Sequence, residues 1–411
     1  MAEAPADYPL SGLKVLDFSR VLAGPFAGRL LSDLGADVVK VEELGRGDGT
    51  RSIPPFVGGE SHYFLAVNRN KRSLALDLKR PEGRDLALRL AARSDVLLEN
   101  FRPGVMDRLG LGADALKAAN PRLVACSISG FGQTGPMREE PSFDLVTQAM
   151  SGVMSINGEA DGPPTKLGLP MGDLGGGLWA AIGVLAGLQK RNATGEGSRI
   201  DLSLLEGLMG LLGYLGELYL VTGASPERVG SSHHSVVPYG RFPVADGHMV
   251  IALHVGNFWR KFCTAIGRDA WVEDPRFRTT ADRREHREVL EAMVSEVLRT
   301  RTGAEWADVF RRHDIPHGPV HDVGAAIEQE VVRARGFVRT VDHVRAGAVR
   351  LLGSPLAFED FDASRYRASP LLGEHTREVL GEVGLAPGEV DALVRDGVVG
   401  VPEAPGGRRP A

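Results

Sequence analysis

Short apolar runs alternate with longer helix-like stretches in the first third of this chain. Each run has the length of a buried strand, and each stretch between them has helical periodicity. The predicted strands are residues 14–18, 38–41, 96–98 and 123–128, and the predicted helices are residues 25–34 and 83–93. Strand–helix alternation of this kind predicts an α/β fold, in which a Rossmann-like parallel sheet carries helices on both faces.

The turn after the first predicted strand does not have the glycines that a dinucleotide requires. Residues 19–25 contain a single glycine, Gly24, and so lack the G-x-G-x-x-G pattern of nicotinamide dehydrogenases. The chain also lacks a P-loop. The sheet is therefore predicted without a nicotinamide-binding or nucleotide-hydrolysing site.

The pattern changes from about residue 222. Two alternating runs flank Asp246-Gly247, which predicts a β-hairpin. Helical patterns follow at residues 257–266, 286–299 and 306–312. We therefore predict a large domain over residues 1–222, a smaller α+β domain over residues 223–331 and a return segment over residues 332–411, with a disordered tail at residues 402–410.

Composition and charge exclude several classes of partner. The 411 residues are 43% hydrophobic and 25% charged, with a net charge of −5, so neither a nucleic acid nor an anionic membrane is an expected partner. The longest apolar stretch, residues 202–221, is interrupted by Glu206 and Glu217, which predicts a buried helix instead of a membrane span. Two distant cysteines and an acidic N-terminus without a signal-peptide pattern predict a cytoplasmic protein.

Asp173 is the leading candidate for a catalytic residue. It lies in a tight turn before an apolar helix, where we predict it to be the N-cap. An isolated aspartate in such a place is usually only a cap, but three glycines follow at residues 175–177. Glycines weaken the first helical turn, and they let the backbone approach a bound group. A carboxylate beside unblocked N–H donors would supply a nucleophile and an oxyanion site for acyl transfer.

Motifs along nearly the whole chain resemble, in their order and spacing, those of the family III CoA-transferases. This family includes formyl-CoA transferase, carnitine CoA-transferase and, as a divergent branch, α-methylacyl-CoA racemase. The matching segments are residues 12–18, 23–25, 34–42, 70–73, 76–79, 99–104, 161–164, 172–173 and 370–376.

The resemblance implies a fold, a reaction and a set of site residues. It implies a homodimer of interlocked rings that moves CoA between carboxylic acids through an aspartyl-CoA thioester on Asp173. CoA is then a substrate, and neither a metal nor a redox cofactor is expected. The CoA-binding residues that it implies are Val21, Ala23, Arg72, Leu76, Lys79, Asn100, Phe101 and Arg108. The alternatives are a framework role for Arg72, a solvated surface position for each cation and a core position for Phe101.

Two positions depart from relatives within the resemblance. Leu22 stands where formyl-CoA transferase has a glutamine, which argues against oxalate or formate as the natural acid. Phe143 stands where the racemase branch has a histidine, and phenylalanine cannot exchange a proton. Transfer, with succinyl-CoA as a candidate donor, is therefore favoured over a racemase. The intact Gly172-Asp173 turn argues against the other alternative, a non-catalytic acyl-CoA-binding homologue. Asp144 is interpreted as a structural partner.

The adjacent histidines His233 and His234 do not predict a metal site, because no further histidine or cysteine cluster accompanies them. Their loop resembles that of the dicarboxylate-using branch of the family. The resemblance makes His233 or Arg241 a candidate contact for an acceptor carboxylate.

Overall fold

The computed structural model describes residues 8–254, 257–359, 361–362 and 366–402. By their contacts, these residues form two units. The first comprises the described parts of Met1–Val153, Leu167–Gly213 and Arg333–Ala411, and the second comprises Met154–Lys166 and Tyr214–Val332. Residues 154–166 and 214–222, which the sequence analysis placed in the first domain, thus belong to the second unit. The N-terminal residues 1–7 and the predicted tail, apart from Pro402, lie outside the described residues.

The strands of the described residues are short, as is usual for parallel sheets and hairpins. In chain order they are β1 (Lys14–Asp17), β2 (Asp37–Glu42), β3 (Phe56–Val57), β4 (Glu60–Ser61), β5 (Arg72–Leu76), β6 (Val96–Glu99), β7 (Val124–Ser129), β8 (Ser198–Ser203), β9 (Tyr239–Val244), β10 (Gly247–Ala252), β11 (His317–Pro319), β12 (Val338–His343), β13 (Gly347–Leu352) and β14 (Val399–Gly400).

The helices range from one turn to the long α8. In chain order they are α1 (Ala23–Asp33), α2 (His62–Val67), α3 (Pro81–Ala91), α4 (Val105–Arg108), α5 (Ala113–Ala119), α6 (Asp144–Met150), α7 (Val153–Ile156), α8 (Met171–Thr194), α9 (Leu204–Leu211), α10 (Tyr214–Thr222), α11 (Phe258–Ala265), α12 (Thr280–Glu285), α13 (Arg287–Leu298), α14 (Gly303–Arg312), α15 (Val323–Ile327), α16 (Glu330–Ala334), α17 (Thr376–Glu382) and α18 (Pro387–Arg395), with 3-10 turns at Gly49–Ser52 and Asp269–Val272.

A seven-stranded sheet forms the centre of the first unit. Its order is β14-β5-β2-β1-β6-β7-β8, and each neighbouring pair is parallel except β14 with β5. The predicted strands and the parallel α/β sheet are confirmed. The sequence analysis missed β5, because its first two residues, Arg72 and Ser73, are buried polar groups that interrupt the apolar run.

Both faces of this sheet are buried. Along β6, Leu97 packs into one hydrophobic cluster, with α3 and α17, while Val96 and Leu98 pack into another, with α1 and α8. Alternate side chains point to opposite faces of a strand, so a strand that is covered on both faces must be apolar at nearly every position. This explains why the strands were visible as short continuous apolar runs.

Helix α8 is long and apolar, but much of it is internal. Its 24 residues have the length and hydropathy of a membrane span, and half of the apolar window is buried within the protein, as in the core helices of globular domains. The predicted single buried helix over residues 202–221 is wrong, because the chain breaks at residues 212–213 into α9 and α10. None of the α10 residues is buried.

The second unit is built on an antiparallel sheet of β9, β10 and β11. The predicted hairpin is confirmed, with Ala245 and Asp246 in the turn and Gly247 beginning β10. The core of the second unit contains buried aromatic side chains, among them Phe262 of α11 and Phe310 of α14. Both helices were predicted from the sequence periodicity.

Candidate active site

Asp173 lies in the first turn of α8 but is not its N-cap. The helix begins at Met171, its N-cap is Pro170, and Asp173 is the third helical residue. Proline has no N–H to leave unsatisfied and a fixed φ, which suits it to the start of a helix. The N-cap prediction is therefore wrong, although the Asp173 carboxylate still belongs to the turn at which the helix dipole is positive.

The backbone donors of this first turn are occupied. The N–H groups of Gly172 and Asp173 both donate to Oδ1 of Asp144, with N–O distances of 2.7 and 3.3 Å. The N–H of Leu174 donates to the carbonyl oxygen of Pro170 at 2.9 Å. The expected oxyanion site of unblocked N–H groups beside Asp173 is thus wrong for this state of the protein, because a neighbouring carboxylate takes two of the donors.

The glycines after Asp173 serve helix packing. A Cβ at Gly177 would lie 2.7 Å from the carbonyl oxygen of Ala23 in α1, and a Cβ at Gly176 would overlap the Leu204 side chain of α9. The interpretation that they open the backbone to a bound group is therefore corrected. These glycines let α8, the helix that carries Asp173, pack closely against α1 and α9.

Two effects raise the pKa of Asp173. Burial has the larger effect, and the charge of Asp144 adds to it, so that the pKa is about 7. A carboxylate that is neither solvated nor paired with a cation is poorly stabilised, and its basicity is high for an aspartate. Such a group is ionised to a useful extent at neutral pH and is more nucleophilic than a solvated carboxylate.

Tyr63, the second residue of α2, lies within electrostatic range of Asp173 and is a candidate site residue that the sequence analysis missed. Burial, followed by the charges of Asp173, Asp48 and Asp144, raises the pKa of Tyr63 to about 12. Its hydroxyl therefore stays protonated and can donate a hydrogen bond near these acids. Neither spacing nor composition distinguishes this tyrosine in the sequence, so only the fold reveals it.

The loops after β1 and β6 are joined at the point where the strand order reverses. The side chain of Asn100 accepts from the Arg20 N–H and donates to the Arg20 carbonyl oxygen, both at 2.7 Å. The Arg20 guanidinium lies 5.0 Å from the centroid of the Phe101 ring. Strands diverge from this point in opposite directions, and α/β sheets bind ligands in the crevice that results. Three of the predicted CoA-binding residues, Val21, Asn100 and Phe101, therefore lie together.

Val21 has a backbone conformation that is rare for a branched residue. Its φ is 67°, and its N–H faces both carboxylate oxygens of Asp48 at 3.2 and 3.3 Å. Asp48 forms an ion pair of 2.9 Å with Lys40, and both side chains are fully buried. Ala23, the first residue of α1, is buried behind this loop. The buried ion pair thus holds the loop in a strained form, which is a feature of ligand sites.

The remaining predicted CoA-binding residues lie in the framework, in the core and on the surface of the first unit. Arg72 is buried and pairs with the carboxylates of Asp37, Glu378 and Glu382, so its charge is neutralised within the framework of the fold. Leu76 is a core residue at the end of β5. Lys79 is 80% exposed and lies 3.8 Å from Glu43.

Arg108, at the end of α4, is exposed. Lys79 and Arg108 are therefore the two predicted CoA-binding cations whose side chains are open to solvent.

His233, His234 and Arg241 belong to the second unit. Nδ1 of His233 accepts from the N–H groups of Ser235 and Val236, and Arg241 pairs with Glu159 at 3.3 Å. His234 contacts the carbonyl oxygen of Glu227 at 2.9 Å. Within the described ranges, no group of three or more histidine, cysteine, aspartate or glutamate side chains is arranged to hold a metal ion.

Comparison with known proteins decides the family. Residues 10–376 match the model for CoA-transferase family III. The chain belongs to this family. It is 38% identical to the succinyl-CoA:glutarate CoA-transferase of Mus musculus, over 95% of this chain and 90% of that protein. It is also 38% identical to the acetyl-CoA:oxalate CoA-transferase of Acetobacter aceti, over 89% of this chain and 93% of that protein.

A solved structure of the family has the same fold. The CaiB/BaiF family protein from Brucella suis superposes with a TM-score of 0.80 at 37% identity, covering 92% of this chain and 99% of that one. The resemblance seen in the sequence is thus confirmed, and so is the enzyme class. This family III protein is a CoA-transferase, and the transferase names of its relatives favour transfer over the racemase alternative.

Proposed function

We propose that this enzyme moves CoA from an acyl-CoA donor, with succinyl-CoA as the candidate, to a carboxylic acid through covalent intermediates on Asp173. The observation that carries the proposal is the setting of Asp173, a partly buried carboxylate whose backbone N–H donates to a second carboxylate, with its pKa raised to about 7. The relatives that act on succinyl-CoA and glutarate support a dicarboxylic acid as the acceptor.

Each proposed step exchanges one anion for another. The Asp173 carboxylate attacks the thioester carbonyl, the C–S bond breaks, and CoA thiolate leaves a mixed anhydride behind. The thiolate then attacks the Asp173 carbonyl carbon and releases the donor acid, which leaves an aspartyl-CoA thioester. The acceptor carboxylate reverses both steps and restores Asp173. The cycle consumes neither protons nor electrons, so the proposed reaction requires no redox cofactor, and we propose no metal.

A donor other than the first helical turn must stabilise the oxyanion in these steps. Because Asp144 occupies the N–H groups of Gly172 and Asp173, we assign this role to the Tyr63 hydroxyl, which keeps its proton. Loss of an oxyanion donor costs about 10²-fold or more in kcat. Replacement of Tyr63 by phenylalanine should have an effect of this size without preventing acyl-CoA binding.

CoA is proposed to bind at the crevice between the loops after β1 and β6. Val21, Asn100 and Phe101 would contact it there, and Lys79 and Arg108 would meet its phosphates from their exposed positions. Arg72 is assigned to the framework because three carboxylates already surround it.

A homodimer is part of the proposal. Large apolar side chains are exposed along α8 and α9, namely Leu178, Trp179, Ile182, Leu185, Met209 and Leu211. Exposed apolar side chains in this number on two packed helices are often covered by another chain. We propose a second copy of this protein as the cover, with the interlocked form that the family resemblance implies.

The two cysteines are unpaired, which supports the proposed cytoplasmic location.

A trapping experiment tests the covalent route. The purified enzyme is incubated with succinyl-CoA and a panel of mono- and dicarboxylates, and formation of new CoA esters is measured. Hydroxylamine or borohydride added during turnover should modify the peptide that contains Asp173. Asp114→Asn, which changes an exposed carboxylate on α5, is the matched control and should behave as wild type. Transfer without any adduct on Asp173 would contradict the proposed route.

A further inference from the structure

One carboxylate lies at the start of two helices in the first unit. Asp144 is the first residue of α6, and its Oδ1 also accepts from the Gly172 and Asp173 N–H groups at the start of α8. A carboxylate at this position satisfies helix donors and is favoured by the positive end of the helix dipole. Asp144 thus anchors the turn that carries the proposed nucleophile.

Gln148 holds Asp144 in place from one turn further along α6. Its side chain is fully buried, and its Nε2 donates to Oδ2 of Asp144 at 2.7 Å and to the carbonyl oxygen of Leu169 at 3.3 Å. Its Oε1 accepts from the N–H of Leu167 at 2.9 Å. Gln148 therefore ties Asp144 to the segment that leads into α8. The charge of Asp144 is fixed and cannot rotate away without breaking these bonds.

Close approach at Gly172 makes this arrangement possible. A Cβ at residue 172 would lie 2.6 Å from Oγ1 of Thr147 and 2.8 Å from Oδ1 of Asp144. Only glycine leaves room for the carboxylate at hydrogen-bonding distance from the backbone. The glycine before Asp173 is thus explained by the approach of Asp144.

We propose that Asp144 and Gln148 form a clamp of two positioning residues, which orients the Asp173 carboxylate for attack and keeps a second negative charge beside it. The inference rests on the proposed function, because it assigns a purpose to the surroundings of that nucleophile. The clamp acts through Asp173 and is not itself a reacting group. Its two parts, charge and position, can be separated by mutation.

The charge of Asp144 shifts the pH range in which Asp173 attacks, in the same direction as burial, which has the larger effect. Burial and this charge raise the pKa of Asp173, and the groups that face it are Asp144 from α6 and the protonated Tyr63 from α2. Attack requires the ionised form, so kcat/KM should rise with pH up to about 7 and then level off. Asp144→Asn keeps the size, removes the charge and replaces the oxygen that accepts from Gln148 with an amide nitrogen, and the loss of charge should move the acid limb down by roughly one pH unit.

Gln148→Leu tests position without removing the charge. The carboxyl group of Asp144 is retained but loses its fixed orientation, so kcat should fall about tenfold or more while the acid limb stays near its original pH. KM for acyl-CoA should change little in either variant. Glu139→Gln, an exposed carboxylate five positions before Asp144, should match wild type in all these measurements.

Hydrogen exchange gives a readout that does not depend on turnover. In the free enzyme, amides of the peptide containing Gly172 and Asp173 should exchange faster in Asp144→Ala and Gln148→Leu than in wild type. The clamp would be overturned if amide exchange in Asp144→Ala and Gln148→Leu matched that of wild type and the acid limb of Asp144→Asn did not move. This holds even if transfer through Asp173 is established. A wild-type enzyme that transfers no CoA would instead overturn the proposed function, and exchange would still decide the clamp. If Asp144→Ala does not fold, Asp144→Asn and Gln148→Leu decide it.

Discussion

Asp48 and Asp173 are both largely buried acids of the first unit, yet their surroundings shift their pKa values in opposite directions. Burial alone would raise the pKa of each. At Asp48 the charge of Lys40, with hydrogen bonds from Thr50, outweighs burial and lowers the pKa to about 2. At Asp173 the neighbouring charge is a carboxylate, and the pKa is about 7. A buried acid beside a cation fixes the backbone, whereas a buried acid beside another acid becomes a reactive group.

CoA transfer should depend far more on Asp173 than on Asp48. Asp173→Asn preserves size but removes the nucleophile, so transfer should fall by about 10³-fold or more. Asp48→Asn should keep kcat within about tenfold per folded molecule, because the Asp48 side chain contacts Lys40, Thr50 and the Val21 N–H, none of which takes part in the proposed bond-making steps. Steady-state transfer assays on both variants check the comparison. Near wild-type transfer by Asp173→Asn, with deamidation excluded by mass spectrometry, would remove Asp173 from the chemistry.

The free energy of unfolding should instead depend strongly on Asp48. Asp48→Asn removes the ion-pair partner of the fully buried Lys40, and such a loss typically costs 3–5 kcal/mol in the free energy of unfolding, so we expect about this size here. Urea unfolding of the variant measures it. A double variant that adds Lys40→Met should recover much of the loss, since the amide oxygen introduced at position 48 can still accept from the backbone. A double variant as unstable as the single one would mean that the ion pair is not the cause.

Stability at high pH should improve when the reactive acid is removed. The raised pKa of Asp173 means that the folded protein binds this proton more tightly than the unfolded chain does. The contribution of Asp173 to stability therefore falls as the pH rises from about 4 to about 7. Asp173→Asn should exceed wild type by about 1–3 kcal/mol in unfolding free energy at pH 8 and match it near pH 4. Equal stability at both pH values would show that the folded protein does not raise this pKa.

The smallest effects should come from the exposed cations at the proposed phosphate contacts. Lys79→Ala and Arg108→Ala should each raise KM for acyl-CoA by about 3- to 10-fold, because solvent screens charges that are this exposed. The increase should shrink at high salt. Lys190→Ala, an exposed lysine on α8, is the control. An unchanged KM in both test variants would place the phosphates elsewhere.

Sequence patterns predicted the parts of this molecule that depend on local periodicity. The parallel sheet and the hairpin follow from apolar alternation, which local sequence carries. Strand β5 was missed because Arg72 and Ser73 replace apolar side chains there. Their partners, Glu378 and Glu42 among them, lie in other elements of the fold, so no local pattern reveals that these polar groups are buried.

The site was predictable in its central residue but not in its geometry. The turn at Asp173 stands out in the sequence, and the family resemblance gives it a role. The occupation of its N–H groups by Asp144, the packing use of the glycines and the position of Tyr63 all depend on contacts between elements. Local propensity holds no information about contacts of this kind.

The interrupted course of the chain through the first unit has a consequence for its synthesis. Arg72 finds Asp37 early, but Glu378 and Glu382 leave the ribosome some 300 residues later, and β14 reaches the edge of β5 later still. Until then, β5 presents an unpaired edge and Arg72 lacks two of its three carboxylates. Nascent chains should thus expose an aggregation-prone strand for most of translation, and even late truncations should yield protein that needs chaperones.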